Sequence, residues 1–177
     1  MKKPENSAHF KILYIMNTLK NILFTSAIIL ILSACQGIYE DGNELANAEK
    51  CSDTQISVGT LKVKIENGED FLLIDVRQPS EYYTDNIPGS ILLPRGELEF
   101  KIGDEDFWME QYIYPPEKDS TEIIIYCKSG NRGVLALNAL KQLGYKNVKN
   151  LEGGYDAFNP NQDPNAKPKA ASGGCGG

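Results

Sequence analysis

The chain of 177 residues predicts an α/β domain with a largely parallel sheet, and three features of the sequence predict it. From Thr54 onward, short β-like runs alternate with amphipathic stretches, the pattern of a sheet layered with helices. Several of those runs are apolar at consecutive positions, as strands buried on both faces must be. One run is followed directly by a glycine-containing loop and the clearest helical pattern in the chain.

Residues 58–66 read as a helix. Phe71-Leu72-Leu73-Ile74-Asp75-Val76 follows as a central strand, and residues 80–84 as a short helix. Ser90-Ile91-Leu92-Leu93 reads as the next strand. Residues 97–112 are partly helical, and Pro115-Pro116 ends that segment because the position before a proline is driven out of the helical region. Ile123-Ile124-Ile125-Tyr126 is a second central strand. Residues 132–143 form the best helix, with Val134, Leu137 and Leu140 three apart, Leu143 following, and Gly144 as the stop. Val148 to Leu151 is a shorter strand. After Phe158 apolar periodicity ceases, and residues 160–177 read as a disordered, glycine-rich tail.

With 41% hydrophobic residues the chain can build one well-cored domain besides a leader and a tail. The formal charge is −6; a leader holding Lys2, Lys3, Lys11, Lys20 and Glu5 takes three positive charges with it and leaves −9. Nucleic acid is a poor partner for such a surface. The single histidine, His9, lies in that leader. The mature chain therefore has no Ser-His-Asp or Cys-His catalysis and no imidazole metal site, so any nucleophile must be activated by other means. No cofactor or metal is expected.

Residues 1–34 read as an export signal. The apolar run of residues 21–33 is too short for a spanning helix, which needs about 20 residues. It ends in Leu32-Ser33-Ala34-Cys35, which resembles the lipobox of bacterial lipoproteins, with Cys35 as the lipidated residue. Met16-Asn17-Thr18-Leu19-Lys20 would make a compact basic start if translation began at Met16. Gln36 stands where an aspartate would signal inner-membrane retention in enterobacterial lipoproteins, which favours the outer membrane. The expected location is thus the cell envelope, facing the periplasm. Residues 35–52, polar and rich in Glu, Asn, Asp and Gly, read as a flexible tether.

The chemistry concentrates in Cys127-Lys128-Ser129-Gly130-Asn131-Arg132, between the strand ending at Tyr126 and the helix beginning near Arg132. A short loop curling over a helix N-terminus turns successive backbone N–H groups inward and stabilises an anion at its centre. With Cys127 at that centre, these dipoles together with Lys128 and Arg132 favour thiolate over thiol. Gly130 supplies a permissive backbone, and Asn131 tolerates a left-handed conformation. Lys, Ser, Asn and Arg are poor company for a cysteine that merely packs. Gly133, just inside the helix, is a cost of up to ~1 kcal/mol against alanine.

Asp75-Val76-Arg77 with Glu81-Tyr82, Asn86-Ile87-Pro88-Gly89-Ser90, Tyr126-Cys127 and Leu151-Glu152-Gly153-Gly154-Tyr155-Asp156-Ala157-Phe158 follow one another in a set order and spacing. By these motifs the chain resembles the rhodanese family across residues 53–159. Asn86 replaces the usual histidine, and Tyr155 and Phe158 replace common tryptophans. The resemblance implies a three-layer fold whose central, mainly parallel sheet of about five strands is flanked by helices. It also implies a sulfurtransferase in which Cys127 takes sulfane sulfur from a small anionic donor, such as thiosulfate or polysulfide, and passes it to a thiol or cyanide acceptor. Cysteine phosphatases need five residues between nucleophile and arginine; here there are four. Asp75 and Arg77 are supporting residues: Arg77 either helps to hold the donor or, the favoured alternative, pairs with Asp75 or Glu81 to brace the loop. Tyr82, Tyr83, Trp108 and Tyr155 either line a substrate mouth or pack in the core.

With Cys35 lipidated, Cys51, Cys127 and Cys175 remain, an odd number. Cys175, in Ser172-Gly173-Gly174-Cys175-Gly176-Gly177, is a candidate sulfur relay for Cys127. Two other classes remain open: a non-catalytic partner-binding module, and an envelope redox or sensing protein using Cys127 with Cys175 or Cys51. A monomer is expected.

Overall fold

The structure is a computed structural model describing residues 14–20, 38–163 and 166–168. The chain divides into two compact units, Met1–Tyr39 and Glu40–Gly177. In the first, residues 14–20 form helix α1. Cys35 and the apolar run of residues 21–33 lie outside the described residues. None of the described helices is long and apolar enough to cross a membrane.

The second unit holds a five-stranded parallel sheet in the order β1-β5-β4-β2-β3, formed by β1 (Gln55–Ile56), β2 (Leu72–Asp75), β3 (Ile91–Leu92), β4 (Ile123–Tyr126) and β5 (Val148–Leu151). Its helices are α2 (Gly42–Glu49), α3 (Val58–Glu66), α4 (Pro79–Thr84), α5 (Leu98–Lys101), α6 (Glu105–Glu110), α7 (Asn131–Gln142) and α8 (Gly154–Phe158). The expected central strand is trimmed to β2, while β4, β5 and α3 fall where the periodicity places them. α7 starts one residue earlier than expected and stops at Gly144, whose φ of 95° suits glycine.

β4 is buried at every position because strands pair with it on both sides and helices cover both faces. Its side chains alternate between two cores. Ile123 and Ile125 point to the layer containing Trp108 of α6 and Ala136, Leu137 and Leu140 of α7. Ile124 and Tyr126 point to the layer containing Leu61 of α3 and Tyr155 of α8. This parity carries into the next residue, so Cys127 falls on the α7 side, at the N-terminus of that helix.

The expected tether over residues 35–52 is corrected where it is described. α2 is capped by Asp41, whose carboxylate accepts from the Asn43 and Glu44 N–H groups at 2.8 Å, and it docks on α7 with Ala46 buried. Polar composition hid this helix because its single buried side chain is small. Likewise the start of the expected tail is held to the domain: Gln162 Nε2 donates to Asp156 Oδ1.

Candidate active site

Cys127 leaves the end of β4 and is 1% exposed. Gly130 turns the chain back over it with φ of 101°, and its N–H donates to Cys127 Sγ at 3.1 Å. Glycine at this position is a requirement of the turn, since an L side chain rarely adopts that φ.

α8 holds the loop from the other side. The Tyr155 N–H donates to the Cys127 carbonyl at 2.8 Å and the Asp156 N–H to the Lys128 carbonyl at 2.9 Å. In a trans peptide the N–H points opposite to the C=O. Drawing these two carbonyls toward α8 therefore turns the Lys128 and Ser129 N–H groups away from it. Gly154 makes the approach close: at its φ of 60° a Cβ would lie 2.6 Å from the Lys128 oxygen, 2.8 Å from the Gly130 nitrogen and closer still to the Cys127 oxygen.

Arg132 forms a bidentate pair with Glu81, both contacts at 2.9 Å. The same carboxylate accepts from the Gln78 N–H at 3.0 Å at the start of α4, so one residue ties the helix after the loop to the helix after β2. The hydrogen bond that Arg132 donates to Glu81 raises the Arg132 pKa, though burial opposes it. Burial pushes Glu81 up, but the hydrogen bonds from Arg132 and Gln78 outweigh it and leave the carboxyl below its ordinary value of 4.5. A carboxyl depressed in the folded state stabilises above its unfolded value and loses that contribution as pH falls through the folded one. With Arg132 37% exposed, Glu81→Gln should cost only about 1 kcal/mol at neutral pH. Urea denaturation at pH 7 and pH 3 should show the wild-type advantage shrinking toward the lower pH.

Arg77 braces the site and is 3% exposed. Its guanidinium grips Asp75 through Nε (2.9 and 3.0 Å) and Nη2 (2.7 Å), donates to the Asp85 carbonyl at 2.7 Å and stacks 4.2 Å over the Tyr155 ring. Of the two readings of Arg77, pairing with Asp75 is the one the geometry supports. Tyr126 reaches back with its hydroxyl, accepting from the Ile87 N–H at 3.2 Å and meeting Ser90 Oγ at 2.9 Å; burial pushes this phenol far up. Asn86 fills its polar turn by donating to the Tyr82 carbonyl at 3.2 Å. Trp108 is core, its Nε1 donating to the Ile102 carbonyl at 2.8 Å, while Tyr83 is exposed.

Asn131 needs no left-handed conformation; it opens α7, and its side chain donates to Asn43 Oδ1 of α2 at 3.0 Å. One expectation about the loop is corrected. Gly133 is required rather than costly, because the space a Cβ would need is filled by the Asn150 carboxamide, whose Cγ would lie 3.0 Å away and whose Oδ1 would be nearer still.

Lys128 and Ser129 are exposed. Lys128 borders a cavity of about 610 Å³ whose walls include Arg77, Glu81, Asp85, Asp156 and Asp163. Arg77 and Glu81 are committed to ion pairs, so the mouth presents one loop lysine among carboxylates. No group of His, Cys, Asp and Glu among the described residues could hold a metal ion. Cys51 and Cys127 are free thiols, and Cys175 lies outside the described residues.

Sequence reasoning missed Asn150, and it missed Glu81 as the partner of Arg132. A polar residue inside Val148-Lys149-Asn150-Leu151 was the available signal, since a strand buried between neighbours holds an amide only when something binds it.

Comparison with known proteins agrees with this geometry. Residues 57–161 match the family described as Rhodanese-like domain. A sulfurtransferase of Allochromatium vinosum is 32% identical over 104 residues, covering 59% of this chain and 86% of that protein. A putative mitochondrial thiosulfate sulfurtransferase of Schizosaccharomyces pombe is 37% identical over 86 residues, 48% of this chain and 60% of that protein. The chain thus spans only part of some relatives, including 53% of a putative sulfur carrier protein, YrkF, of Bacillus subtilis. Among solved structures, the human single-domain sulfurtransferase TSTD1 superposes with a TM-score of 0.56 at 26% identity, covering 62% of this chain and 98% of that one. A Rhodopseudomonas palustris protein of unknown function, described as a possible tyrosine phosphatase, gives 0.58 at 27% identity, covering 71% and 93%. The cysteine loop, the glycine pair beneath it, the parallel sheet and the match over residues 57–161 lead to one conclusion: the chain belongs to the rhodanese-like domain family.

Proposed function

We propose that this protein is a sulfurtransferase that carries sulfane sulfur as a persulfide on Cys127, from a small anionic donor to a thiol or cyanide. The supporting observation is the N–H of Gly130 aimed at Cys127 Sγ at 3.1 Å within a loop whose preceding carbonyls are drawn toward α8. Donors fixed in this way stabilise negative charge on sulfur without reorganising. With thiosulfate, the Cys127 thiolate attacks the outer sulfur, the S–S bond breaks, and sulfite leaves with the bonding electrons. An acceptor thiolate then attacks the outer sulfur of the persulfide and expels the Cys127 thiolate. The loop serves a thiolate in one half-cycle and a persulfide in the other. Four residues between Cys127 and Arg132 suit a sulfur atom better than a tetrahedral phosphoryl group, which supports this reading over a phosphatase.

Incubating the protein with thiosulfate, then with polysulfide, and mapping the modified peptide tests the proposal. A gain of one sulfur atom on Cys127 with stoichiometric sulfite from thiosulfate is expected; no adduct from either donor overturns it. Because the mouth is rich in carboxylates, Lys128 matters for capture. Lys128→Ala should raise KM for thiosulfate roughly fivefold with kcat nearly unchanged, an effect that fades in high salt. Equal, small losses in Lys128→Ala and Cys127→Ala would sink the assignment.

A second reading adds a relay. Pro168 lines the same cavity as Lys128, and Cys175 lies seven residues beyond it, a contour of up to ~25 Å. In this reading Cys175 takes the sulfur from Cys127, and the same peptide map reads it: sulfur on Cys175 that depends on Cys127 supports it, and none refutes it. We further propose export, with lipidation at Cys35 and anchoring in the envelope facing the periplasm.

A further inference from the structure

Asn150 is a buried polar side chain that is only half satisfied. It is 1% exposed, and its Oδ1 is the one buried side-chain polar atom among the described residues without a hydrogen-bond partner. Its Nδ2 explains why the amide is oriented so. That nitrogen donates to Gln55 Oε1 at 2.8 Å and to the Gly130 carbonyl at 3.3 Å. The Gly130 carbonyl is backbone and cannot turn into a donor, so turning the amide round would set oxygen against oxygen there. The oxygen must therefore face Gly133, where only the absence of a side chain leaves room for it.

The Gly130 carbonyl also accepts the first helical bond of α7, from the Val134 N–H at 3.1 Å. It is thus held from two directions, by the helix and by the neighbouring strand. Since the N–H of a trans peptide opposes its C=O, holding this carbonyl toward α7 holds the Asn131 N–H out at the helix N-terminus. Gly130 itself is the residue whose N–H reaches Cys127 Sγ. That N–H lies on the Ser129–Gly130 peptide, which shares the Gly130 Cα with the Gly130–Asn131 peptide held by Asn150; one amide on β5 thus fixes the peptide next to the one that closes the sulfur cradle, without touching sulfur.

We propose that Asn150 is a positioning residue for sulfur transfer: with Gly133 as its socket, it locks the Gly130–Asn131 peptide and, through the shared Gly130 Cα, keeps the adjoining loop N–H groups trained on the thiolate and persulfide of Cys127. The unpartnered oxygen is a consequence of that lock. The inference rests on the proposed sulfurtransferase activity for its rate readout, but the reactivity of Cys127 reports on it independently.

Asn150→Leu separates positioning from stability. Leucine nearly matches the shape, removes the lock and removes the unpartnered oxygen, which offsets the donor lost to the half-buried Gln55 and to a Gly130 carbonyl still bonded by Val134, so Tm should stay close to wild type. Sulfur transfer should nonetheless fall roughly tenfold, as when the support behind a reacting group is removed. The pH profile of Cys127 alkylation by iodoacetamide should shift upward, because the thiolate loses aligned donors. A second pair of variants guards against a folding defect. Asn150→Ala should lose stability, and adding Gly133→Ala to it should refill the space and recover Tm without recovering the rate or the alkylation profile. Unchanged transfer and alkylation in Asn150→Leu would overturn the proposal, as would a rate that returns together with Tm in the double variant. If the wild type transfers no sulfur, the function proposal fails, and an alkylation profile that still shifts in Asn150→Leu sustains the lock.

Discussion

Replacing Cys127 with alanine or serine should lower sulfur transfer by roughly 10⁴-fold or more, to the level of the uncatalysed reaction. The size follows from the proposed mechanism, in which the sulfur is bonded to this atom between the half-reactions, and no other thiol among the described residues is in the loop. The fold should survive. Cys127 belongs to the core layer with Ile125 and Ala136, and serine keeps most of its volume while its hydroxyl can still accept the Gly130 N–H. Far-UV circular dichroism and Tm should stay close to wild type, with thiosulfate:cyanide activity and persulfide formation both absent. Residual transfer above a few per cent would place the chemistry on another thiol.

Gly154→Ala should produce the largest loss of any substitution that leaves Cys127 in place. A non-glycine residue at φ of 60° costs about 1 kcal/mol. The new Cβ would also meet three backbone atoms of the cysteine loop, and backbone cannot rotate aside as a long side chain would. Relief requires α8 to move off, weakening the bonds from Tyr155 and Asp156 to the Cys127 and Lys128 carbonyls. Together these imply about 3 kcal/mol of destabilisation and a Tm lower by roughly 10 °C. Even in the folded fraction, a loop displaced by ~1 Å should transfer sulfur about 10²-fold more slowly. A variant with wild-type Tm and rate would show that the loop and α8 are not rigidly coupled.

The contrast between these residues and Asn150 shows what could be read from sequence. β4, α3 and α7 were legible because their signals are local: four apolar residues in a row, a 3.6-residue periodicity, a glycine stop. Cys127 was legible for the same reason, since strand, loop and helix adjoin it in the chain. The pairing of Arg132 with Glu81 joins residues 51 apart, and the Asn150 contact with Gly130 joins residues 20 apart. No periodicity announces contacts of that kind; the folded sheet creates them. Gly133 shows the same limit in reverse. Helix propensity alone marks it as a weakness, whereas the packed neighbour makes glycine the residue that fits. α2 escaped because its stability comes from docking on α7, with polar residues at both ends of the contact.

That docking has a mechanical meaning. Asn43 and Glu49 of α2 grip Asn131 and Asn138 of α7, and the family match begins only at residue 57. A pull on the chain ahead of Asp41 would reach these stitches and the buried Ala46 before it reached the strand ladders that follow them in the chain. The first stitch is fastened to Asn131, the residue directly after the glycine that covers the sulfur. The N-terminal segment is thereby fastened at the residue that adjoins the cysteine loop.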